Sequence, residues 1–128
     1  MIKYLTLEQV LAMHEALIEK FGGLVGTRDI NLLISAVEAP KAAMFGDDLY
    51  PTIYDKAAVY LFHIVRNHSF NDANKRTSFL AAYLFLKANK LPIGFTDEAY
   101  EDLVMAAAEG KKTKEEIAYF FKHGKERV

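Results

Sequence analysis

Residues 57–86 read AAVYLFHIVRNHSFNDANKRTSFLAAYLFL, and this stretch decides the fold. It contains two runs, Ala57–Val65 and Phe79–Leu86, that are apolar around nearly the whole circumference of a helix. That pattern is typical of a buried helix rather than a surface helix. The polar segment His68–Thr77, HSFNDANKRT, lies between the two runs. We therefore expect two central buried helices joined by a loop that carries an unusual density of polar side chains.

Two further helices are predicted before this stretch. Thr6–Gln9 has the form of a capping box, and apolar residues at helical spacing follow it as far as Phe21. Gly22 and Gly23 end this helix, and a second helix is predicted from about Asp29 to Val37. The connecting GGLVGTRD has three glycines but lacks the Gly-Lys-Ser/Thr ending of a phosphate loop. We interpret it as a turn.

The rest of the chain completes an all-α pattern. Met44–Tyr54 mixes Gly, Asp, Pro and aromatic residues, which indicates an exposed loop of the kind that contacts substrates. Helices are predicted from Thr96 to near Gly110 and from the capping box at Thr113 to Gly124, with a short extended piece possible at 91–95. The prediction is a single domain over residues 1–128 with about six helices, the two central ones flanking the polar loop.

Composition excludes several classes of protein. The net charge is −1 and the basic residues are scattered, so the broad positive face of a DNA-binding protein is not expected. The absence of cysteine excludes disulfides and thiolate metal sites. The apolar runs fall far short of the ~20 residues that span a bilayer, and MIKYLTLEQV lacks the order of a signal peptide. A cytoplasmic protein without membrane contact is expected.

The loop between the central helices predicts an anion site. Asn71–Asn74 feeds into a helix that starts near Lys75, and a helix N-terminus offers free N–H groups and the positive end of the dipole. Lys75 and Arg76 add two cations where the dipole favours acidic residues. This mismatch indicates that an anion, most simply a phosphate, completes the site.

The other side chains of the segment suit transfer chemistry on a phosphate. Asp72 is a candidate Mg²⁺ ligand, because a single carboxylate beside phosphates commonly holds this ion. His68 is a candidate general base, since imidazole exchanges protons near neutral pH. The Asn74 amide could donate to a phosphate oxygen, and Phe70 would anchor the loop to the core. Together these residues predict phosphoryl or nucleotidyl transfer.

Each of these residues also has a plain structural interpretation. Asp72 could cap the following helix, His68 could hydrogen-bond a carbonyl, and Lys75 and Arg76 could point into solvent. Arg66 is equally suited to bracing the loop and to contacting a phosphate.

The other histidines carry no pattern that indicates a functional site. His63 lies within an apolar run and is interpreted as a hydrogen-bonded core histidine. His14 and His123 are interpreted as ordinary helix residues.

HSFNDANKRT resembles the signature of the Fic/Doc family, His-Pro-Phe-x-x-Gly-Asn-Gly-Arg-x-x-Arg, and in particular its death-on-curing (Doc) branch, where the ending is Asn-Lys-Arg. The segments FGGLVGTRD, DDLYPTIYDKAAVYLFHIVRNH and AAAEGKKTKEEIA are similar to Doc segments in the same order, so the resemblance covers nearly the full chain. It implies a Fic-type helical fold in which this loop binds ATP and Mg²⁺ and modifies a hydroxyl group of a target protein.

The resemblance also implies a role for each residue of the segment. His68 would be the base, Asp72 the metal carboxylate and Phe70 the anchor. Ala73 and Asn74 would supply N–H groups for the anion, and Lys75 and Arg76 would contact the nucleotide phosphates, as these lie at the matching positions of the signature.

Departures from the signature bear on the reaction. Lys75 replaces a Gly and Phe79 replaces the second Arg of the adenylylating branch, so one close phosphate approach and one bidentate phosphate clamp are missing. Doc proteins with this change resemble kinases that present the γ-phosphate of ATP to the base, and the implied target is elongation factor Tu. Ser69 replaces the usual Pro and Ala73 the usual Gly, which costs some backbone freedom.

The resemblance further implies a toxin held in check by an antitoxin. Only Glu109-Gly110 matches the ending of the inhibitory helix of many Fic proteins, and Met105 stands where its Ser or Thr would be, so an inhibitor in trans is predicted. A disordered antitoxin segment that folds over the site would serve. Two alternatives stay open: transfer of AMP, and a helical binding module without turnover.

Overall fold

Local sequence signals set the bounds of the helices in the computed structural model, which describes residues 1–127. The elements in chain order are α1 Leu7–Phe21, α2 Ile30–Glu38, a 3₁₀ turn Ala39–Lys41, β1 Ala43–Met44, β2 Asp47–Asp48, α3 Ile53–Asn67, α4 Asn74–Ala88, α5 Asp97–Ala108 and α6 Lys114–His123. The predicted all-α class and the predicted six helices are confirmed.

Side-chain caps fix where most helices begin. Thr6 and Thr113 each form the predicted capping box, in which the threonine hydroxyl accepts from a backbone N–H three residues on and that residue returns the bond. Thr96 caps α5 and Asp29 caps α2. Thr52 caps α3 and forms a capping box with Asp55. This start lies within the segment Met44–Tyr54 that was predicted as a loop, because the usual capping box has Glu or Gln at the third position.

α3 lies at the centre of the molecule and packs against α2, α4, α5 and α6. All six helices contribute buried side chains to one hydrophobic cluster. Burial around the whole circumference holds for most of α3 and is too strong a prediction for α4, where Leu84 is 37% exposed. Among residues 1–127, no helix is long and apolar enough to cross a membrane.

The segment Met44–Tyr54, predicted as an exposed loop, begins within a small hairpin. β1 and β2 pair antiparallel in the register Ala43–Asp48 and Met44–Asp47. Phe45 and Gly46 form the turn, and both have positive φ, at 51° and 84°. Strands of two residues are too short to show alternation in the sequence. Residues 91–95, for which the sequence allows a short extended piece, form no strand.

Lys56 anchors the base of this hairpin to α3. Its side chain is 1% exposed, and its ammonium group donates to a carboxylate oxygen of Asp48 at 3.3 Å and to the carbonyl of Tyr50. The ammonium of Lys114 on α6 donates to the Tyr50 hydroxyl at 2.9 Å. These contacts therefore hold the end of the hairpin that lies next to α3, and its turn extends from the protein surface.

Candidate functional site

The motif loop, residues 68–73, joins the end of α3 to the start of α4 through two left-handed residues. His68 follows the last helical residue of α3 with φ 50° and ψ 47°, and Ala73 precedes α4 with φ 62° and ψ 27°. This conformation is unfavourable for residues with a Cβ atom. The loop is therefore held in place by contacts from elsewhere in the fold.

The α1–α2 connection, residues 22–29, runs antiparallel to the motif loop and supplies most of these contacts. The backbone contacts are an isolated bridge between Thr27 and Phe70 and the hydrogen bonds Arg28 N to Ser69 O (2.7 Å), Asp29 N to Ser69 O (3.0 Å) and Asn71 N to Gly26 O (3.2 Å). The Asn71 side-chain amide donates to Val25 O at 3.1 Å. The α1–α2 connection thus contacts the motif loop along its length and holds the loop backbone in place.

Two glycines allow this close approach. Gly23 has φ 126°, and a Cβ atom there would lie 2.7 Å from Oδ2 of Asp72. Gly26 has φ 98°, and its Cβ would lie 3.2 Å from the Asn71 amide. Sequence reasoning interpreted GGLVGTRD only as a turn and missed its contact with the motif loop. The glycine spacing was the available signal, but nothing in it identified the partner.

Phe70 anchors the loop, as predicted, because its side chain is 2% exposed and joins the hydrophobic cluster. His14 of α1 stacks on it, with ring centroids 3.8 Å apart and planes within 5°. Nε2 of His14 also lies 2.9 Å from the carbonyl oxygen of Asp72. Since a carbonyl oxygen only accepts, Nε2 carries the proton. The interpretation of His14 as an ordinary helix residue is wrong: it is 3% exposed and joins α1 to the motif loop.

Asp72 presents an exposed carboxylate whose two oxygens each accept one backbone N–H. Oδ1 accepts from Ala73 at 2.8 Å and Oδ2 from Leu24 at 3.1 Å. These donors, first that of Leu24 and then that of Ala73, lower the pKa of the Asp72 carboxyl, with a smaller contribution from the Arg76 charge. The alternative in which Asp72 caps α4 is not what forms, because Ala73 occupies the N-cap position. The group is an anionic carboxylate at neutral pH with lone pairs left for a further ligand.

The N-terminus of α4 has the properties of an anion site. It has no side-chain cap, whereas the other five α-helices in the described residues are capped by Thr or Asp. Its first turn holds Lys75 and Arg76 and no acidic residue, and both side chains are exposed. The N–H groups of this turn are therefore available to an outside acceptor.

Asn74 and Ala73 differ in part from their predicted roles. The Asn74 side-chain oxygen accepts from Phe70 N at 3.1 Å, and its amide nitrogen donates to Phe70 O at 3.0 Å. The amide therefore closes the motif loop with one of its two N–H groups, and the backbone N–H of Asn74 is a further donor toward an anion site. The N–H of Ala73 is already donated to Asp72.

His68 is exposed, and its ring has no hydrogen-bond partner among residues 1–127. Its backbone carbonyl accepts from Nε of Arg28 at 2.8 Å. The alternative in which the ring itself bonds a carbonyl is therefore not observed, and the imidazole is available to a substrate. A general base has to come within hydrogen-bond distance of the proton that it takes, and a ring with no internal partner is free to do so.

Two further residues in the last turns of α3, Arg66 and His63, lie on the side that faces away from the motif loop. A terminal nitrogen of Arg66 donates to Ala108 O at 3.0 Å, at the end of α5, and the guanidinium packs against Gly110. Arg66 therefore braces the end of α5, not the motif loop as the structural interpretation had it, and its contact with a phosphate stays a prediction. His63 is half-buried and forms no hydrogen bond within the described chain, so the interpretation as a hydrogen-bonded core residue is wrong. Burial, and then the charge of Lys114, lower its pKa.

An apolar groove lies beside the cationic start of α4. Its volume is about 520 Å³, and α1, α4 and α5 line it with Leu17, Phe21, Lys75, Arg76, Phe79, Leu80, Glu101, Val104 and Met105. The Lys75 ammonium lies 3.9 Å from the sulfur of Met105, and the Arg76 guanidinium lies over the Phe21 ring at 5.4 Å. We refer to this feature as the α1–α4–α5 groove.

Phe79 forms part of the groove wall and is held in place by Tyr100 of α5. Its ring stacks on Tyr100 of α5 at 4.0 Å between centroids, and the Tyr100 hydroxyl donates to the Phe79 carbonyl at 2.6 Å. An aromatic surface therefore stands one turn into α4, after the two cations.

The residues of the loop fit a divalent cation only together with a phosphate ligand. Within residues 1–127 there is no group of three or more His, Asp or Glu side chains that could hold a metal ion. Asp72 is a lone, ionised and exposed carboxylate. Mg²⁺ retains most of its waters and is commonly held by one or two carboxylates plus substrate phosphates, so this donor set suits it.

Comparison with known proteins gives one family. The sequence model of the Fic/DOC family matches residues 4–86. The chain is 41% identical over 110 residues to the Toxin Doc of Mycolicibacterium smegmatis, covering 84% of this chain and 82% of the relative. It is 31% identical over 117 residues to the Protein kinase doc of Escherichia phage P1, covering 91% of each chain.

Proposed function

Because this chain belongs to the Fic/DOC family, we propose that it is a Doc-type toxin that transfers the γ-phosphate of ATP to a hydroxyl group of a protein. The observation that carries the proposal is the motif loop itself. It sets a free imidazole, an ionised carboxylate and an uncapped helix N-terminus with two cations within nine residues of sequence, His68–Arg76. The similarity to a relative named as a protein kinase extends over 91% of both chains and supports this reaction in particular.

Each residue has a defined task in this reaction. The target hydroxyl oxygen attacks the γ-phosphorus, the bond from that phosphorus to ADP breaks, and the hydroxyl proton passes to the His68 ring. The N–H groups of the first turn of α4, with Lys75 and Arg76, hold the phosphates. Asp72 would hold Mg²⁺, which neutralises phosphate charge when bound.

Lys75 and Phe79 favour the γ-phosphate over AMP transfer. The Lys75 side chain fills space at the second residue of α4, and the Phe79 ring, stacked on Tyr100, stands where the adenylylating branch has an arginine. Without that arginine there is no bidentate clamp at this point of the groove.

The test uses ATP labelled in parallel at the α- or γ-phosphate. The purified protein is incubated with Mg²⁺ and elongation factor Tu, the target that family resemblance implies, and with a bacterial lysate in a second series. Label from γ but not from α, lost in His68→Ala, is expected. Label from α would instead establish AMP transfer. No label from either position, with ATP still bound, would favour a binding module.

A double variant tests the assignment of Lys75 and Phe79. Lys75→Gly with Phe79→Arg restores the small residue and the arginine of the adenylylating signature. We expect AMP transfer to rise in this variant while γ-phosphate transfer falls. An unchanged ratio of the two products would show that nucleotide orientation does not depend on these positions.

We also propose that an antitoxin segment folds into the α1–α4–α5 groove. Most of the residues that line the groove are apolar, as a helix-in-groove interface requires, and the lining residues Lys75 and Arg76 suit an acidic side chain of the partner. A segment seated there would cover the cations that hold the phosphates. The cost of ordering it is met on binding, which makes such inhibition reversible.

Substitution within the groove tests this partner. Leu17→Asp places an unpaired charge on the α1 wall of the groove and is expected to weaken neutralisation by the antitoxin, for which the product of the neighbouring gene is the candidate to co-express. Growth arrest should then persist despite co-expression. Glu8→Lys, at an exposed position in the first turn of α1 and outside the groove, is the control. Full neutralisation of the Leu17 variant would place the antitoxin elsewhere.

The hairpin is our candidate for target docking. Phe45 at its tip is 97% exposed and Met44 57% exposed, so it presents an apolar tip next to unpaired strand edges. Lys56, at its base, precedes His68 by twelve residues along α3, about 18 Å of helix. An extended target segment of about six residues spans that length, so the hairpin would recognise the target at a distance from the reacting hydroxyl.

Deletion of Gly46–Leu49 separates docking from nucleotide binding. We expect target modification to fall while the affinity for ATP stays unchanged, because the nucleotide contacts lie on the motif loop and α4. Loss of both would show that the hairpin has a structural role instead.

A further inference from the structure

Arg28 joins the α1–α2 connection to the end of α3 through two hydrogen bonds. Its Nε donates to the carbonyl oxygen of His68 at 2.8 Å, and a terminal nitrogen donates to that of Asn67 at 3.3 Å. The guanidinium is a rigid, permanently charged group, and charge-assisted hydrogen bonds are stronger than neutral ones. The side chain is exposed, so it is not required for the hydrophobic core.

The carbonyls that Arg28 binds are ones that α3 leaves without helical partners. The last carbonyl groups of an α-helix have no N–H from the following turns. The next carbonyl, that of Ser69, accepts from the backbone N–H groups of Arg28 and Asp29 at 2.7 and 3.0 Å. Three successive carbonyl groups at the end of α3 are therefore all bound by the same two residues.

This arrangement fixes a strained backbone at the candidate base. His68 has φ 50° and ψ 47°, a left-handed conformation that is unfavourable for a residue with a Cβ atom. Its φ and ψ set the direction of the Cα–Cβ bond and hence the position of the imidazole. The His68 ring has no hydrogen-bond partner among residues 1–127, so the backbone conformation is what sets where the side chain starts.

We infer that Arg28 is a positioning residue for His68: by holding the carbonyls of Asn67 and His68, it keeps the base in the left-handed conformation that points its ring at the reacting hydroxyl. This inference rests on the proposed function. The Arg28 side chain binds backbone carbonyls and belongs neither to the motif loop nor to the first turn of α4, so its effect would pass through the His68 backbone. A residue that merely capped α3 would contribute to stability without affecting the rate of transfer.

The test compares Arg28→Ala and Arg28→Lys with Arg127→Ala. The control removes the same charge from an arginine that lies over Tyr119 of α6, outside the candidate site. Single-turnover transfer with saturating ATP and Mg²⁺, the dissociation constant of a non-hydrolysable ATP analogue, and the backbone ¹³C shifts of Asn67 and His68 are measured for each variant below its unfolding temperature.

For Arg28→Ala we expect the single-turnover rate to fall about 10- to 100-fold, as for a small misplacement of a catalytic group. The dissociation constant of the analogue should change less than about 2-fold, since Arg28 lies outside the phosphate contacts. The carbonyl ¹³C shift of His68 should move in Arg28→Ala, and Arg28→Lys should recover part of the rate through one charge-assisted bond. Arg127→Ala should match the wild type in all three measurements.

An unchanged rate in Arg28→Ala, or a loss of rate that a matching loss of folded protein explains, would overturn the inference. Unchanged ¹³C shifts at Asn67 and His68 would overturn it as well, whatever the rates. If the wild-type protein transfers no phosphate, the proposed function fails on its own. The positioning role is then decided by those shifts alone, which need no substrate.

Discussion

The ring of His14 lies flat on the ring of Phe70, with centroids 3.8 Å apart, and the same imidazole hydrogen-bonds the carbonyl of Asp72 at 2.9 Å. One buried side chain of α1 thus holds both the anchor of the motif loop and the backbone of its carboxylate. His14 lies 58 positions before Asp72, so the shape of the candidate site depends on tertiary packing as much as on the motif itself.

Replacing His14 with Phe separates these two contacts. The stack on Phe70 is retained, while the Asp72 carbonyl loses its donor, so we expect the free energy of unfolding to fall by about 1–2 kcal/mol. Urea unfolding measures the change. His123→Phe, at an exposed position where the ring packs at a tilt against Tyr119, is the control and should stay within about 0.5 kcal/mol of wild type. Equal values for the two variants would mean that the hydrogen bond contributes nothing.

Ala73→Gly should stabilise the protein. Ala73 has φ 62°, a conformation that glycine adopts without the Cβ penalty of about 1–2 kcal/mol, and part of that gain is offset by the greater freedom of glycine in the unfolded chain. Ala12→Gly on the exposed face of α1 is the control and should destabilise by about 1 kcal/mol. Thermal unfolding of both variants decides the sign. A fall in stability for Ala73→Gly would contradict the strain argument.

Ser69→Ala is expected to be neutral or stabilising by up to about 1 kcal/mol. The Ser69 side chain is fully buried, and its hydroxyl has no hydrogen-bond partner among the described residues, so alanine removes an uncompensated polar group. In Ser78→Ala, by contrast, a hydroxyl that donates to Lys75 O at 2.8 Å is lost, and we expect a cost of about 1 kcal/mol. If Ser69→Ala costs as much as Ser78→Ala, the buried hydroxyl has a partner in solution.

Lys56→Met should loosen the hairpin. Methionine keeps the apolar stem buried on α3 but removes the ammonium that binds the Asp48 carboxylate and the Tyr50 carbonyl. We expect amide hydrogen exchange of residues 43–50 to accelerate about 10-fold or more, with exchange in α4 unchanged. Lys41→Met, whose pair with Glu38 is exposed, is the control and should leave the hairpin unaffected. Unchanged hairpin exchange in the Lys56 variant would show that Lys114 alone holds the base.

His63 should make stability depend on pH below 7. Burial, followed by the charge of Lys114, lowers the pKa of His63 from 6.5, so the unfolded chain binds a proton more readily than the folded one. The neutral ring therefore contributes stability that is fully present above pH 6.5 and is lost as the pH falls through the lowered folded-state pKa. Unfolding free energies from pH 8 to pH 5 should fall more steeply for wild type than for His63→Gln. Parallel curves would contradict this prediction.

Local order was predictable from the sequence because its signals are local. The capping boxes at Thr6 and Thr113, the glycines after α1 and the apolar runs each act within a few residues, and the helices begin and end close to the expected positions. The functional segment was recognisable for the same reason, since its residues are consecutive. The contacts of the motif loop with residues far away along the chain have no such signal in the local sequence.

The roles of individual side chains were likewise predictable only where the residue type and its neighbours decide them. The Phe70 anchor was predicted correctly, because a large apolar side chain in a polar segment is removed from water only by packing into the core. The Asn74 amide, expected at a phosphate, instead bonds the Phe70 backbone on both sides, and His14, expected to be ordinary, is buried. Either role is compatible with the residue type, and only the folded backbone distinguishes them.

By itself, the sequence determined the helical class, the order of the helices and the stretch that is proposed to carry the chemistry, since periodicity, caps and a contiguous motif are properties of neighbouring residues. The tertiary structure alone decided that the α1–α2 connection runs along the motif loop and that His14 and Arg28 hold Asp72 and His68. It also decided that α1, α4 and α5 enclose a groove beside Lys75 and Arg76. These contacts join residues 30 to 58 positions apart, and their formation depends on how helices pack around α3, which no local pattern encodes.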